Sequence, residues 1–251
     1  VHSRQTAVVV DDDPDVRLLL AHVLGKLDLD VTSAETGEDG IARIREVDAD
    51  LVTLDLTLPD LDGVEVCRRI REFSDAYVVM ITGRVEEADR LVGLDVGADD
   101  YMTKPVSPRE VRARAAALLR RPRQRRDPAA EPPPAPTGLA VQSAGVDDRV
   151  VDAGGGLVLV PVRHVALLDG QPLPLTPTEV DLLATLSSRP GAAWDRGALV
   201  REVWAGDFIE SDFLVDVHVA SLRRKLRKAG TQREWISTVA GTGYRFDRVV
   251  A

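Results

Sequence analysis

The chain has a single cysteine, Cys67, among its 251 residues, so no internal disulfide can form and a reducing compartment fits. It has no apolar run approaching the ~20 residues that a membrane-spanning helix requires. The first apolar run, Ala7–Val10, is too short for the core of a signal peptide and ends in acid. These absences lead us to expect a soluble, cytoplasmic protein with no membrane partner. Lysine is scarce, supplying four of the 32 basic residues, which suggests GC-rich coding and carries no functional weight. Positive charge is in deficit overall, with a net charge of −9. That deficit sits in residues 1–121, which hold 16 Lys and Arg against 25 Asp and Glu, whereas the remainder holds 16 of each. Overall acidity does not exclude a nucleic-acid partner, because a local basic face decides that. The length suits two domains, each with its own core.

The first 121 residues alternate strand and helix patterns. Short apolar, β-branched runs read as buried strands at Thr6–Val10, Leu29–Ser33, Leu51–Asp55, Tyr77–Thr82 and Asp100–Thr103. Asp13-Pro14 is a helix start, an N-cap acceptor followed by proline, and Val16, Leu19, Leu20, Val23, Leu24 and Leu27 then recur at helical spacing. Further helices are expected after Gly37, over Val64–Arg71, over Glu86–Asp95 and over Ser107–Arg121. Five such units imply an α/β fold, a doubly wound parallel sheet in the order 2-1-3-4-5. All strand carboxyl ends then share one edge, which collects Asp11, Asp12, Asp55, Thr82 and Lys104. Taken singly, each has an ordinary role: helix cap, turn residue, β-branched strand residue or solvated lysine. Taken together, three carboxylates at one edge repel unless a hard cation lies among them, and oxygen-only ligands suit Mg²⁺.

The stretches VVVDDDP, LDLTLPDLDG, MITGR and GADDYMTKP resemble the motifs of receiver domains in bacterial two-component response regulators, over residues ~6–120. The resemblance implies a flavodoxin-like fold in which Asp55 is the phosphoacceptor. It makes Asp11 and Asp12 the acidic Mg²⁺ pair, with the backbone carbonyl of Thr57 as a further ligand. It also makes Thr82 the switch hydroxyl, Tyr101 the switch aromatic and Lys104 the site lysine, ahead of a cis bond to Pro105. The sequence departs from the usual pattern at Thr57, where winged-helix members more often carry methionine, at Gly83 in place of alanine and at Val106 in place of phenylalanine. Active members of the family dimerise through the fourth helix, fifth strand and fifth helix. Arg90, Asp100, Glu110 and Arg114 match two of the cross-dimer ion pairs, whereas Asp95 faces Ala116 where a basic partner is usual.

Residues 122–153 read as a tether, basic and then proline-rich (RPRQRRDPAAEPPPAP), ending weakly patterned and glycine-rich. Residues 154–251 form the second expected domain. Strands are expected at Leu157–Val160, His164–Leu168 and Leu173–Leu175, with Asp169-Gly170 as a hairpin turn. Thr176-Pro177-Thr178-Glu179 is a capping box. Helices follow from Val180, over Asp195–Trp204 and over Asp212–Lys228, then a final hairpin around Gly241-Thr242-Gly243. DGQPLPLTPTEVDLL, VDVHVASLRRKL and GTGYRF resemble the winged helix-turn-helix (α+β) effector domain of the OmpR/PhoB response regulators. The third helix then carries a core stripe of Val215, Val219, Leu222 and Leu226. The expected contacts to double-stranded DNA are Val217, His218, Ser221, Arg223, Arg224, Lys228, Thr242 and Arg245. Phe213, Ala220, Ser221 and Ala240 stand where the family often has basic residues, so salt-sensitive binding with few bidentate base contacts is expected.

The function so implied is a response regulator that accepts a phosphoryl group on Asp55 from a sensor histidine kinase, dimerises when phosphorylated and regulates transcription. It is not a turnover enzyme. A haloacid dehalogenase-like phosphohydrolase needs a second aspartate two residues after the nucleophile, and Thr57 stands there. The other alternative is an interaction protein whose winged helix binds RNA polymerase or another protein.

Overall fold

A computed structural model of the chain describes residues 4–83, 97–120, 150–204, 213–230 and 233–248. Those from 4 to 120 form one compact unit and those from 150 onward another. The first unit runs β1 (Thr6–Val10), α1 (Pro14–Gly25), β2 (Asp30–Ala34), α2 (Gly37–Val47), β3 (Leu51–Asp55), α3 (Gly63–Arg71), β4 (Tyr77–Thr82), β5 (Asp100–Thr103) and α4 (Pro108–Leu119). The five strands form one sheet in the order β2-β1-β3-β4-β5, every pairing parallel. The helix expected at Glu86–Asp95 lies outside the described residues.

Alternation along the strands builds two cores. Val8, Val10, Val52, Leu54, Val78 and Met80 face α2 and α3, where Ile41, Ile44, Val66 and Ile70 meet them. Ala7, Val9, Leu51, Tyr77, Val79 and Ile81 face α1 and α4, where Leu20, Leu24, Val111 and Leu118 meet them. Near-continuous burial of β3 and β4 follows from having helices on both faces. Asp13 starts α1 by accepting from Asp15 N at 2.8 Å, ahead of Pro14. The α2 terminus is satisfied from a distance, because Asp60 accepts from Gly37 N at 2.8 Å and Glu38 N at 2.9 Å. Asp60 belongs to the loop that follows Asp55, so that loop and α2 are stitched together.

The second unit runs β6 (Val151–Gly154), β7 (Leu157–Val160), a 3₁₀ turn (Pro161–Arg163), β8 (Val165–Leu168), β9 (Gln171–Pro172), α5 (Pro177–Ser187), β10 (Ala193–Asp195), α6 (Arg196–Trp204), α7 (Phe213–Lys228), β11 (Ile236–Val239) and β12 (Gly243–Phe246). An antiparallel sheet β6-β7-β8-β9 precedes the helices, and a sheet β10-β12-β11 closes the unit with the wing hairpin. Residues 151–153, read from sequence as the end of the tether, lie in β6, which pairs with β7. The strand expected at Leu173–Leu175 lies instead at Gln171–Pro172. Asp169 and Gly170 both have positive φ, as a two-residue hairpin turn demands, so pairing resumes at once with Leu168↔Gln171. Fully buried Trp204, Trp235 and Phe246 anchor the core, together with Val215, Val219, Leu222 and Leu226 of α7.

Candidate functional site

The β1–β3 ladder closes at Val10↔Leu54 and the β3–β4 ladder at Asp55↔Ile81. Asp11, Asp55 and Thr82 therefore follow one another across the carboxyl edge of three adjacent strands. Asp11, Asp55 and Thr82 are buried, and Asp12 is exposed. Carboxylate oxygens of Asp11, Asp12 and Asp55 lie within 4.8 Å of one another. Lys104, just past β5, reaches back so that its Nζ sits 2.6 Å from Asp55 Oδ2 and 3.0 Å from Asp11 Oδ2. Its backbone N–H donates to Thr82 O at 2.7 Å, and the bond to Pro105 is cis, as the sequence motif implied.

Backbone contacts fix the loop that follows Asp55. Thr57 N donates to Asp55 Oδ1 at 3.1 Å, and Thr57 pairs with Asp62 in an isolated bridge. Gly63 N donates to Leu56 O at 2.9 Å. A Cβ at Gly63 would lie 2.2 Å from the Asp55 carbonyl oxygen, so this close approach demands glycine. Thr57 itself is exposed, at the mouth of the site. Tyr101 is half-buried and packs against the α2–α3 side of the sheet.

Burial pushes the Asp11 carboxyl up, and repulsion from Asp55 adds to this against the pull of Lys104 and the Asp13 N–H. Burial acts to lower Lys104, yet its bonds to Asp55 and Asp11 outweigh this and hold the ammonium above its ordinary value. Three carboxylates with one ammonium leave two negative charges uncompensated in a mostly buried, oxygen-only cluster. This donor set fits a small hard divalent cation such as Mg²⁺. The sequence did not point to Arg17. Its Nη1 donates to the Asp11 carbonyl at 2.7 Å and its Nη2 lies 3.7 Å from Glu35, which ties the acidic turn to α1.

Of the expected dimer residues, Arg90 lies outside the described residues and the other three pair with one another within the chain. Arg114 Nη1 lies 2.6 Å from Asp100 Oδ1, and Nη2 lies 2.6 Å from Glu110 Oε1. Asp100 and Arg114 are buried; burial raises the Asp100 carboxyl against the opposing pull of Arg114.

In the second unit, α7 turns a different face outward from the one expected. Val217, His218 and Ser221, read as DNA contacts, are buried. Ser221 Oγ donates to Glu179 Oε1 at 2.6 Å, and the His218 ring tilts against Trp204 with centroids 5.3 Å apart. The physical reason is the docking of α7 on α5. Buried Glu179 caps α5 through Thr176 N at 2.7 Å, and its carboxylate also holds Lys225 Nζ at 2.7 Å. Two sequence signals foreshadow this hub: the capping box, and a serine and lysine spaced i, i+4 on α7. Arg223 is turned to the wing, donating to Ile236 O at 2.7 Å and to Thr238 Oγ1 at 2.9 Å. Lys228 and Thr242 are exposed, Arg224 is half-buried, and Arg245 lies 2.6 Å from Asp247. The Phe213 side chain lies outside the described residues.

A parallel sheet with an acidic, lysine-bearing edge, followed by a winged helix, is the architecture of a response regulator that acts on transcription. Comparison with known proteins bears this out. The model of the response regulator receiver domain matches residues 7–116, and that of the transcriptional regulatory protein C terminal matches residues 170–246. The chain is 37% identical to the transcriptional regulatory protein BaeR of Escherichia coli O6:H1, over 96% of this chain and 92% of that one. It is 39% identical to the transcriptional regulatory protein ResD of Bacillus subtilis, over 96% and 95%. It is also 35% identical to the phosphate regulon transcriptional regulatory protein PhoB of Pseudomonas aeruginosa, over 96% and 97%. A solved structure of a cysteine-substituted mutant of RitR shares the fold with a TM-score of 0.70 at 22% identity, over 98% of this chain and all of that one. The chain belongs to the OmpR/PhoB family of two-component response regulators and acts as a transcription factor. No described helix is long and apolar enough to cross a membrane.

Proposed function

We propose that Asp55 accepts a phosphoryl group from the phosphohistidine of a sensor histidine kinase, and that residues 1–121 thereby control DNA binding by the unit beyond the 122–153 tether. The observation that carries this is the position of Asp55, buried at a strand end within 4.8 Å of two more carboxylates and 2.6 Å from Lys104. A carboxylate oxygen of Asp55 attacks phosphorus, the P–N bond breaks toward the imidazole, and an acyl phosphate forms. Asp11, Asp12, Asp55 and the carbonyl of Thr57 would hold Mg²⁺, which when bound neutralises charge on the phosphoryl oxygens. Lys104 supplies a fixed positive charge 2.6 Å from the Asp55 carboxylate. The product adds about −1.5 to −2 of charge at one point. Thr82 donates its hydroxyl to that charge, and Tyr101, half-buried on the same edge, turns inward behind it. The two conformers differ in these contacts, which is what lets phosphorylation shift the population between them.

Dimerisation through Asp100, Glu110 and Arg114, with Arg90, requires the pairs now closed within the chain to be exchanged for pairs across a twofold axis. Arg224, Lys228, Thr242 and Arg245 supply contacts to DNA phosphates. Incubation with acetyl phosphate and Mg²⁺ tests the first step: wild type incorporates phosphate and Asp55→Asn does not. Equal incorporation by both rejects Asp55 as the acceptor. Selection from random duplex DNA with and without phosphorylation tests the second step. Enrichment only with the phosphorylated chain is expected, and no enrichment rejects sequence-specific binding.

The burial of Val217, His218 and Ser221 favours a second reading, in which the winged helix binds RNA polymerase or another protein instead of a specific operator. A pull-down run beside the DNA selection separates the two.

A further inference from the structure

The outward stripe of α7 follows helical spacing through Asp216, Ala220, Arg223, Arg224, Arg227 and Lys228, all half-buried or exposed. Its charge is lopsided. The four basic residues occupy the last two turns, whereas among the described side chains the first two turns offer Asp216 and Ala220. Asp216 is already committed, because its Oδ1 accepts from Arg196 Nε at 2.7 Å and from Tyr244 OH at 2.7 Å. Ser221 is turned inward to Glu179, and His218 is buried against Trp204. The methyl group of Ala220 is therefore the side chain left facing out between the committed carboxylate and the basic turns.

In helix-turn-helix proteins side chains of this helix meet base edges in the major groove, while basic residues meet phosphates. A helix lying in the major groove with an alanine at the contact has no donor for guanine and no acceptor for adenine. It can discriminate by apolar contact with the C5 methyl of thymine. We propose that α7 reads thymine through that methyl group, with Ala220 as the specificity-determining contact and the Arg224–Lys228 end holding the flanking phosphates. This rests on the reading that α7 enters duplex DNA. It adds to that reading the chemical class of base that the helix recognises.

The test uses the full-length phosphorylated chain and the duplex it enriches from random DNA. Each thymine is replaced in turn by deoxyuridine, which keeps all base-pair hydrogen bonds and removes only the methyl. At one or two positions wild type is expected to lose about fourfold in affinity, the factor that corresponds to ~0.8 kcal/mol per buried methylene-sized group. Ala220→Gly is expected to bind thymine and deoxyuridine duplexes equally at those positions, with its fold checked by tryptophan fluorescence. Equal binding of both duplexes by wild type overturns the proposal and leaves DNA binding standing. The same loss in wild type and Ala220→Gly assigns the methyl contact to another residue and overturns the role of Ala220. Failure to enrich any duplex overturns the DNA reading and this inference with it.

Discussion

The ammonium of Lys104 lies 2.6 Å from Asp55 Oδ2, reaching it from beyond β5, two strands away in the sheet. In the proposed phosphotransfer the lysine therefore compensates the Asp55 carboxylate before the phosphoryl group arrives and remains in place to meet its oxygens. Lys104→Ala removes that fixed charge from a mostly buried cluster. We expect phosphate incorporation from acetyl phosphate to slow by about 100-fold, in line with the loss of one preorganised charged donor. Lys104→Arg is expected to restore only part of it, because the guanidinium is broader and its fork does not reproduce a point charge. Stopped-flow or radiolabel incorporation measures both variants.

Gly63 lies over the Asp55–Leu56 backbone so closely that a Cβ would sit 2.2 Å from Asp55 O and 2.7 Å from Leu56 Cα. Gly63→Ala must push the loop away from α3, at a cost of about 1–3 kcal/mol for an overpacked site. The three tryptophans lie at 194, 204 and 235, so far-UV circular dichroism of the first unit's transition, not fluorescence, reports this loss. The displaced Asp55 is expected to incorporate phosphate more slowly in the same variant.

The first unit was legible because Asp11, Asp55 and Thr82 stand at or just past the ends of short, mostly apolar strands, where a polar side chain is conspicuous. Asp11, Asp55 and Thr82 follow from that pattern, and the Lys104-Pro105 motif follows from sequence resemblance. The face that α7 turns outward was less legible, because a helix with apolar residues at 214, 215, 217, 219, 222 and 226 has no single polar side. Docking decides there: Glu179 draws Ser221 and Lys225 inward and so rotates Val217 and His218 under cover. The hairpin strand shifted for a local reason, since the two-residue turn at Asp169-Gly170 fixes its register more strongly than the apolar run at Leu173–Leu175.

Glu179 leads to a stability prediction for the second unit. Its buried carboxylate receives Thr176 N, Ser221 Oγ and Lys225 Nζ, each within 2.7 Å. Glu179→Ala removes the carboxylate 2.7 Å from the Lys225 ammonium, which is 11% exposed as a side chain. Breaking one side of such a pair costs about 3–5 kcal/mol, and the lost cap adds to this. Trp204 and Trp235 are buried in this unit, so the urea midpoint followed by their fluorescence is expected to fall. Lys225→Met in the Glu179→Ala background should recover part of the loss, because a mostly buried charge that has lost its carboxylate is removed.

Glu65 supplies the acid-side prediction. Hydrogen bonds from Arg68 at 2.7 Å and Arg69 at 2.8 Å, both on the next turn of α3, pull its carboxyl down to about 2. Its folded value lies below the unfolded one, so the pairing contributes stability above about pH 4.5 and loses it as pH falls toward 2. The group is on the surface, where water and salt screen ion pairs, so the effect on unfolding is small. The carboxyl titration itself is the cleaner measurement: carbon-detected NMR is expected to place its midpoint near 2 in wild type. In the Arg68→Ala, Arg69→Ala double variant the midpoint should return to the ordinary glutamate range.

The basic end of α7 mixes exposed side chains with internally bonded ones. Lys228 is exposed, whereas Lys225 is tied to Glu179 and Arg223 to the carbonyl of Ile236. Lys228→Ala is therefore expected to weaken DNA binding about equally for all sequences and to reduce the slope of log affinity against log salt by about one. Arg223→Ala should behave differently. Its guanidinium holds β11 against α7 through two bonds to Ile236 O and one to Thr238 Oγ1, so its loss loosens the wing. Affinity is expected to fall with a smaller change in salt slope and a lower urea midpoint. Fluorescence anisotropy of a labelled duplex across a salt series, beside urea melts, distinguishes the two variants; matching slopes and matching midpoints would mean that Arg223 also reaches the phosphates.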